Sequence, residues 1–176
     1  MSAVLSSPNL FELHVQGSDP DFLDLIAPRL WQDWGQVWLD SLPEELPPAP
    51  GYELTLRLTD DEEMTALNAQ FRQTAQTTDV LAFAALDGEL PALPDAEPLY
   101  LGDIVISVPQ AQRQARERGH DLSYELAWLA AHGLLHLLGW DHPDEASLTA
   151  MLACQESLLT RIGLDPPEET LGVAPP

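Results

Sequence analysis

The sequence contains no lysine and only one cysteine. Its seven basic residues are all arginines, against 29 aspartates and glutamates, and the formal net charge is −22. A chain this acidic lacks the positive surface typical of nucleic-acid-binding proteins, so any contact with RNA would need a local patch of arginines and a metal ion. Solubility alone explains most of these carboxylates. The lone Cys154 excludes an internal disulfide and is typical of a reducing compartment.

Long hydrophobic runs are also missing. No stretch reaches the roughly 20 residues of a membrane span, and the first residues lack the pattern of a secretory signal. At 176 residues, 45% of them hydrophobic, the chain is long enough for a real core. We therefore expect a soluble, cytoplasmic protein with a single domain at 1–163, including a proline-rich loop at 42–51. The acidic, proline-rich residues 164–176 are expected to be a disordered tail.

Alternating and helical periodicities predict the fold class. Residues 52–59 and 100–107 are typical of strands, whereas 28–39 and 123–138 have helical spacing. The tryptophans of 28–39 favour a core helix over a surface for stacking bases. Thr59 and Glu62 predict a capping box for the helix that follows. We expect an α+β fold in which helices pack on a small mixed β-sheet.

Residues 131–143, AHGLLHLLGWDHP, are the most informative stretch. His132 and His136 are four residues apart, so on a helix they project from the same face. Gly139 is suited to a left-handed helix end, after which the chain can return His142 to the same point. Three imidazoles converging from a helix and its turn predict a three-ligand metal site that leaves one position for water.

This spacing matches the ligand frame of the metzincin proteases, H-E-x-x-H-x-x-G-x-x-H. In those enzymes the glutamate is the general base, and Gly133 occupies its position here. The metal-binding helix is therefore zincin-like, but ordinary proteolysis is not expected. Asp141 has two interpretations: it orients a ligand imidazole, or it caps a helix that begins at Pro143, and capping is favoured.

Few basic residues are available for binding phosphates. Arg72 lies among uncharged residues on a loop that leads into a strand, which suits a phosphate clamp, although helix ends commonly carry such cations. Arg113, Arg116 and Arg118 allow the same two interpretations equally. His120, alone in the next turn, is predicted to lie at the surface.

The histidine motif resembles that of the YbeY rRNA-maturation endoribonucleases. The shared pattern is H-G-x-L-H-L-x-G-x-D-H at 132–142, and L-N-x-x-F-R at 67–72, T-D-V-L at 78–81 and L-G-D-I at 101–104 follow the family order. The resemblance covers about 52–163. The chain departs from the family just after Arg72, where residues 73–76 are all uncharged.

This resemblance implies a zinc-dependent, single-strand-specific endoribonuclease. It further implies a role in 3′-end maturation of small-subunit (16S) rRNA and in ribosome quality control. One Zn²⁺ would be bound by His132, His136 and His142, and Arg72 would contribute to catalysis. The implied partners are single-stranded rRNA, the small ribosomal subunit and ribosome-associated proteins; no membrane or DNA partner is expected.

Two other functions remain open from the sequence. One is a different metallohydrolase lacking the protease glutamate, which acts on a peptide or a small ester. The other is a non-catalytic, ribosome-associated module in which the metal only fastens the helix to its turn.

Overall fold

The computed structural model describes residues 10–73, 76, 78–85 and 97–165. Within these ranges the chain forms four β-strands and six α-helices. The strands are β1 (Leu10–Gly17), β2 (Gly51–Thr59), β3 (Val80–Ala84) and β4 (Leu99–Ser107). The helices are α1 (Pro20–Leu23), α2 (Pro28–Asp40), α3 (Asp61–Arg72), α4 (Val108–Arg118), α5 (Leu122–Leu137) and α6 (Glu145–Arg161).

The strands form one mixed sheet in the order β1-β2-β4-β3. Strands β1, β2 and β4 are parallel, and β3 pairs antiparallel with β4 along one edge. The predicted α+β class with a small mixed sheet is confirmed.

Helices cover both faces of this sheet. On one face, α2 packs on β1 at Gly35 and Phe11, and α5 packs on β4 at Gly133 and Ile104. On the other face, Met64 of α3 packs with buried residues of β3 and β4. Because successive strand residues point to opposite faces, α3 and α5 lie on opposite sides of the sheet.

The tryptophan helix is part of the core, as the sequence predicts. Trp31, Trp34 and Trp38 of α2 are all buried. The Trp38 indole N–H donates a hydrogen bond to the carbonyl oxygen of Leu158 in α6, at 2.9 Å. This bond links α2 to the helix that flanks the histidines.

Two local predictions are wrong. Helix α3 is capped by Asp60, whose side chain accepts from the Glu63 backbone N–H, and not by Thr59 with Glu62. His120 is not at the surface: its side chain is 7% exposed and lies 2.5 Å from the Glu125 carboxylate. Glu125 is fully buried in the first turn of α5, so it requires such partners.

The predicted loop at 42–51 contains a short 3₁₀ turn, Pro43–Glu45, and its last residue, Gly51, begins β2. Most of the predicted tail, residues 166–176, lies outside the described residues. The boundary of a single domain at residue 163 stays a prediction. Among the helices of the described ranges, none is both long and apolar enough to cross a membrane.

The contact between α5 and the sheet provides a test. A Cβ at position 133 would lie 2.7 Å from the Ile104 Cγ2 atom, so Gly133→Ala must displace a buried β-branched side chain. Overpacking costs about 1–3 kcal/mol, against a gain of roughly 1 kcal/mol in helix propensity. We expect a lower free energy of unfolding in urea denaturation. In an Ile104→Ala background the cost should disappear; an equal cost in both backgrounds would contradict the packing argument.

Candidate metal centre

Helix α5 supplies the first two histidines. His132 and His136 lie one turn apart on α5, and both side chains are half-buried. Their Nε2 atoms are 3.0 Å apart, and their ring centroids are 4.5 Å apart. The spacing of four residues therefore places both imidazoles on one face, as predicted.

The turn after α5 brings in the third histidine. Gly139 has φ +95, and the backbone N–H groups of Gly139 and Trp140 donate to the carbonyl oxygens of His136 and Leu135. This is the Schellman arrangement that ends a helix with a left-handed residue. It reverses the chain, so that the His142 ring lies 5.8 Å from the His132 ring and 5.5 Å from the His136 ring.

The three ligand atoms could hold a metal ion. One nitrogen from each histidine lies within 4.8 Å of the other two. Two ligands of a tetrahedral zinc ion, with Zn–N distances of about 2.0–2.1 Å, are roughly 3.4 Å apart. Among the described histidine, cysteine, aspartate and glutamate side chains, no fourth joins this group. The arrangement is that of an open three-ligand site.

Polar contacts surround the two helical imidazoles. His132 Nδ1 lies 3.0 Å from the side-chain oxygen of Gln155 in α6. Burial lowers the pKa of His136 most, the neighbouring His132 lowers it further, and the Trp140 backbone opposes them, so the pKa remains lowered. A lowered pKa favours the neutral imidazole, the form that binds metals.

Asp141 does not cap a helix. Helix α6 begins at Glu145, and Asp144 caps it in a capping box with Ser147. The Asp141 carboxylate instead accepts from the backbone N–H of His142, at 2.8 Å. The favoured prediction is therefore wrong, and Asp141 steadies the backbone that carries the third histidine.

Position 133 has no room for a protease-like glutamate. Gly133 is buried against β4, and even a Cβ there would approach Ile104 too closely. The missing carboxylate is thus also a packing requirement of this fold.

Arg72 belongs to α3, whereas the histidines belong to α5 and to the turn after it. It is exposed in the last turn of α3, directly before Gln73, which ends the helix in a left-handed conformation with φ 57. Its catalytic role stays a prediction.

Two of the three arginines of α4 pair with acidic side chains. Arg113 donates to the Asp61 carboxylate at 2.8 Å, and Arg118 donates to the buried Glu125 at 3.1 Å. These ion pairs favour the structural interpretation of the cluster over phosphate binding.

A second group of potential ligand side chains lies on β1 and β2. It is on the face of these strands that points to solvent, opposite to the face that α2 covers. Glu12, His14 and Glu53 have one potential ligand atom each within 4.8 Å of the others. The side chains of Glu12 and His14 are 69% and 51% exposed. Imidazole-rich sites suit zinc better than carboxylate-rich ones, so the three-histidine group is the stronger candidate.

Gln155 could not be identified from local spacing, since it is 23 residues from His132. One signal was present in the sequence. Met151, Gln155, Leu158 and Leu159 form the buried stripe of α6, and glutamine is the single polar residue in it. A polar residue at an inward helix position requires a buried partner.

Fold and site together define a class of protein: a mixed α+β domain with a zincin-like helix carrying an open three-histidine group. A family model described as Endoribonuclease YbeY matches residues 23–163. The chain belongs to the YbeY endoribonuclease family.

Individual relatives agree with this assignment. Endoribonuclease YbeY from Nostoc sp. (strain PCC 7120) is 63% identical over 142 residues, covering 80% of this chain and 77% of that protein. The protein of the same name from Picosynechococcus sp. is 54% identical over 156 residues, covering 88% and 96%. The solution structure of TM1509 from Thermotoga maritima has a TM-score of 0.55 at 22% identity. The match covers 86% of this chain and 89% of that one. This last likeness concerns the fold alone.

Zinc binding can be measured directly. We expect one tightly bound zinc ion per chain in equilibrium dialysis. His136→Ala should abolish tight binding because it removes one of three ligands. His14→Ala is the matched control, since it removes an exposed histidine of the second group. If His14→Ala lowered the stoichiometry and His136→Ala did not, the assignment of the site would be wrong.

Proposed function

We propose that this protein is a zinc-dependent, single-strand-specific endoribonuclease. Its proposed role is 3′-end maturation of small-subunit (16S) rRNA and ribosome quality control in the cytoplasm. The observation that carries the proposal is the convergence of His132, His136 and His142 in a chain of the YbeY endoribonuclease family. The relatives named above are endoribonucleases by name, which supports RNA as the substrate.

The donor set fits zinc. Three neutral imidazoles are preferred ligands of a borderline-soft divalent ion, and an open three-ligand set is typical of catalytic zinc sites. When bound, the ion would supply Lewis acidity to a phosphate oxygen and would lower the pKa of bound water to about 7, which provides a nucleophile at neutral pH. The histidines' own part is to present three nitrogen lone pairs to one point. The hydrogen bond between His132 and Gln155 keeps the first of these rings aimed there.

Arg72 is the proposed catalytic side chain. A guanidinium presents several N–H donors in a planar fork that matches phosphate oxygens. It would stabilise the charge that develops on the phosphoryl group during cleavage. Asn68, one turn earlier in α3, is buried and donates to the carbonyl oxygen of Gln76 at 2.9 Å. This bond ties Gln76 to the helix that carries Arg72.

Specificity for single strands follows from access to the histidines. His132 and His136 are half-buried on α5, and His142 is exposed in the turn leading to α6, so a substrate must bring one phosphate close to a partly enclosed group. A flexible single strand can do so more easily than a stiff duplex. The small ribosomal subunit and its associated proteins are the proposed context in which such a strand is presented.

Cleavage of a fluorescent single-stranded RNA tests the proposal. We expect the zinc-loaded protein to cleave it, and His136→Ala to lose more than about 100-fold, since even outer partners of metal ligands are worth about 10–100-fold. A chelator should abolish cleavage and added zinc should restore it. His14→Ala should retain wild-type activity.

Two results would reject the enzymatic proposal. Cleavage that persists in His136→Ala would indicate a contaminating nuclease or another site. Zinc binding that stabilises the fold without any cleavage of RNA would favour the non-catalytic module.

Arg72 has its own test. We expect Arg72→Ala to lower kcat by about 10²–10³-fold, the range for removal of a group that stabilises charge in the transition state. Zinc affinity should stay unchanged. Arg29→Ala is the matched control, because Arg29 is also exposed and helical but lies on α2. Equal effects of the two substitutions would show that only general positive charge matters.

A further inference from the structure

Gln155 is an unusual residue for its position. Its side chain, on α6, is fully buried, although glutamine is mostly exposed in proteins. A buried amide is costly unless its oxygen and nitrogen both find partners. Gln155 has such partners, and both lie on α5: His132 at 3.0 Å and the Trp128 carbonyl oxygen at 3.3 Å.

These partners determine how the amide is oriented. A backbone carbonyl oxygen only accepts hydrogen bonds, so the NH₂ group of Gln155 faces Trp128. The amide oxygen therefore faces His132 Nδ1. Because that oxygen only accepts, Nδ1 must carry the proton. The lone pair of neutral His132 is then on Nε2, the atom that lies 3.0 Å from His136 Nε2.

We propose that Gln155 is a positioning residue of the metal centre, which fixes the tautomer and the ring orientation of His132. This inference rests on the proposed zinc site. Metal-binding histidines depend on such outer partners, whose loss typically costs about 10–100-fold in metal affinity.

The arrangement makes α6 part of the site. The partner of His136 is the Trp140 backbone, which belongs to the same chain segment as the histidines. The His142 backbone is held by neighbouring Asp141. Gln155 instead reaches across from a helix that also accepts the Trp38 hydrogen bond from α2. The aim of His132 therefore depends on the packing of α6 against α5.

Gln155→Met tests this role, because methionine keeps the length and packing of the side chain and removes the acceptor. We expect zinc affinity, measured by competition with a chromophoric chelator, to fall about 10–100-fold. Gln155→Glu, whose buried carboxyl group in its protonated form accepts from Nδ1–H and donates to the Trp128 carbonyl oxygen, should restore most of the affinity. In the zinc-free protein, ¹⁵N NMR should show His132 protonated at Nδ1 in the wild type and as a mixture of tautomers in Gln155→Met.

Gln32→Met is the matched control. The Gln32 side chain also joins two elements, since it bonds to the backbone of Leu13 and Phe11 in β1 at 2.8 and 2.6 Å. This substitution should lower thermal stability without changing zinc affinity or the His132 tautomer. A merely structural Gln155 would behave in the same way.

The possible outcomes separate this inference from the proposed function. Wild-type zinc affinity in folded Gln155→Met would overturn the positioning role and leave the endoribonuclease proposal intact. Protonation of His132 at Nε2 in the wild type would also overturn it, even if no variant folds. Failure of the wild-type protein to bind zinc would reject the proposed function, while the tautomer measurement would still decide whether Gln155 controls His132.

Discussion

The 3.0 Å separation of two imidazole nitrogens is the constraint on which the rest of this structure depends. In the tautomer that Gln155 selects, the Nε2 atom of His132 carries a lone pair. At this distance that lone pair is satisfied either by a proton shared with His136 or by a cation bound to both nitrogens. The fold therefore holds both Nε2 atoms where a single metal ion could contact them.

Several packing features provide that rigidity. Gly133 allows α5 to lie directly on Ile104 of β4, so the helix backbone is fixed against the sheet. At the start of α5, buried Glu125 is paired with Arg118 and His120, which anchors the other end of the same helix. Since α6 packs beside α5 through Gln155, His132 and His136 sit on a helix restrained by the sheet, by α6 and by the ion pairs at its start. Packed elements of this kind position functional groups more accurately than loops do.

Periodicity in the sequence is sufficient to predict the main helices and strands and the histidine cluster, because both depend on local repeats. Histidines four apart must share a helix face, and a glycine after them favours a chain reversal. Cap residues were ambiguous, since Asp60 and Asp144 each stand close to another residue able to cap. His120 and Gln155 were missed or misplaced for a different reason. Their environments come from partners that only the tertiary fold brings together.

The charge of the protein sets a final condition on the proposed function. The formal net charge of −22 disfavours association with RNA at long range, because RNA is also negatively charged. Arg57, Arg113 and Arg118 are already paired with carboxylates, so they contribute little positive potential. In the proposed function, attraction to a phosphate arises at short range, from a bound metal ion and Arg72, where screening by solvent and salt is weakest. An enzyme of this kind would bind free RNA poorly and would act best on a strand held in place by a larger assembly. That expectation agrees with a substrate presented on the small ribosomal subunit.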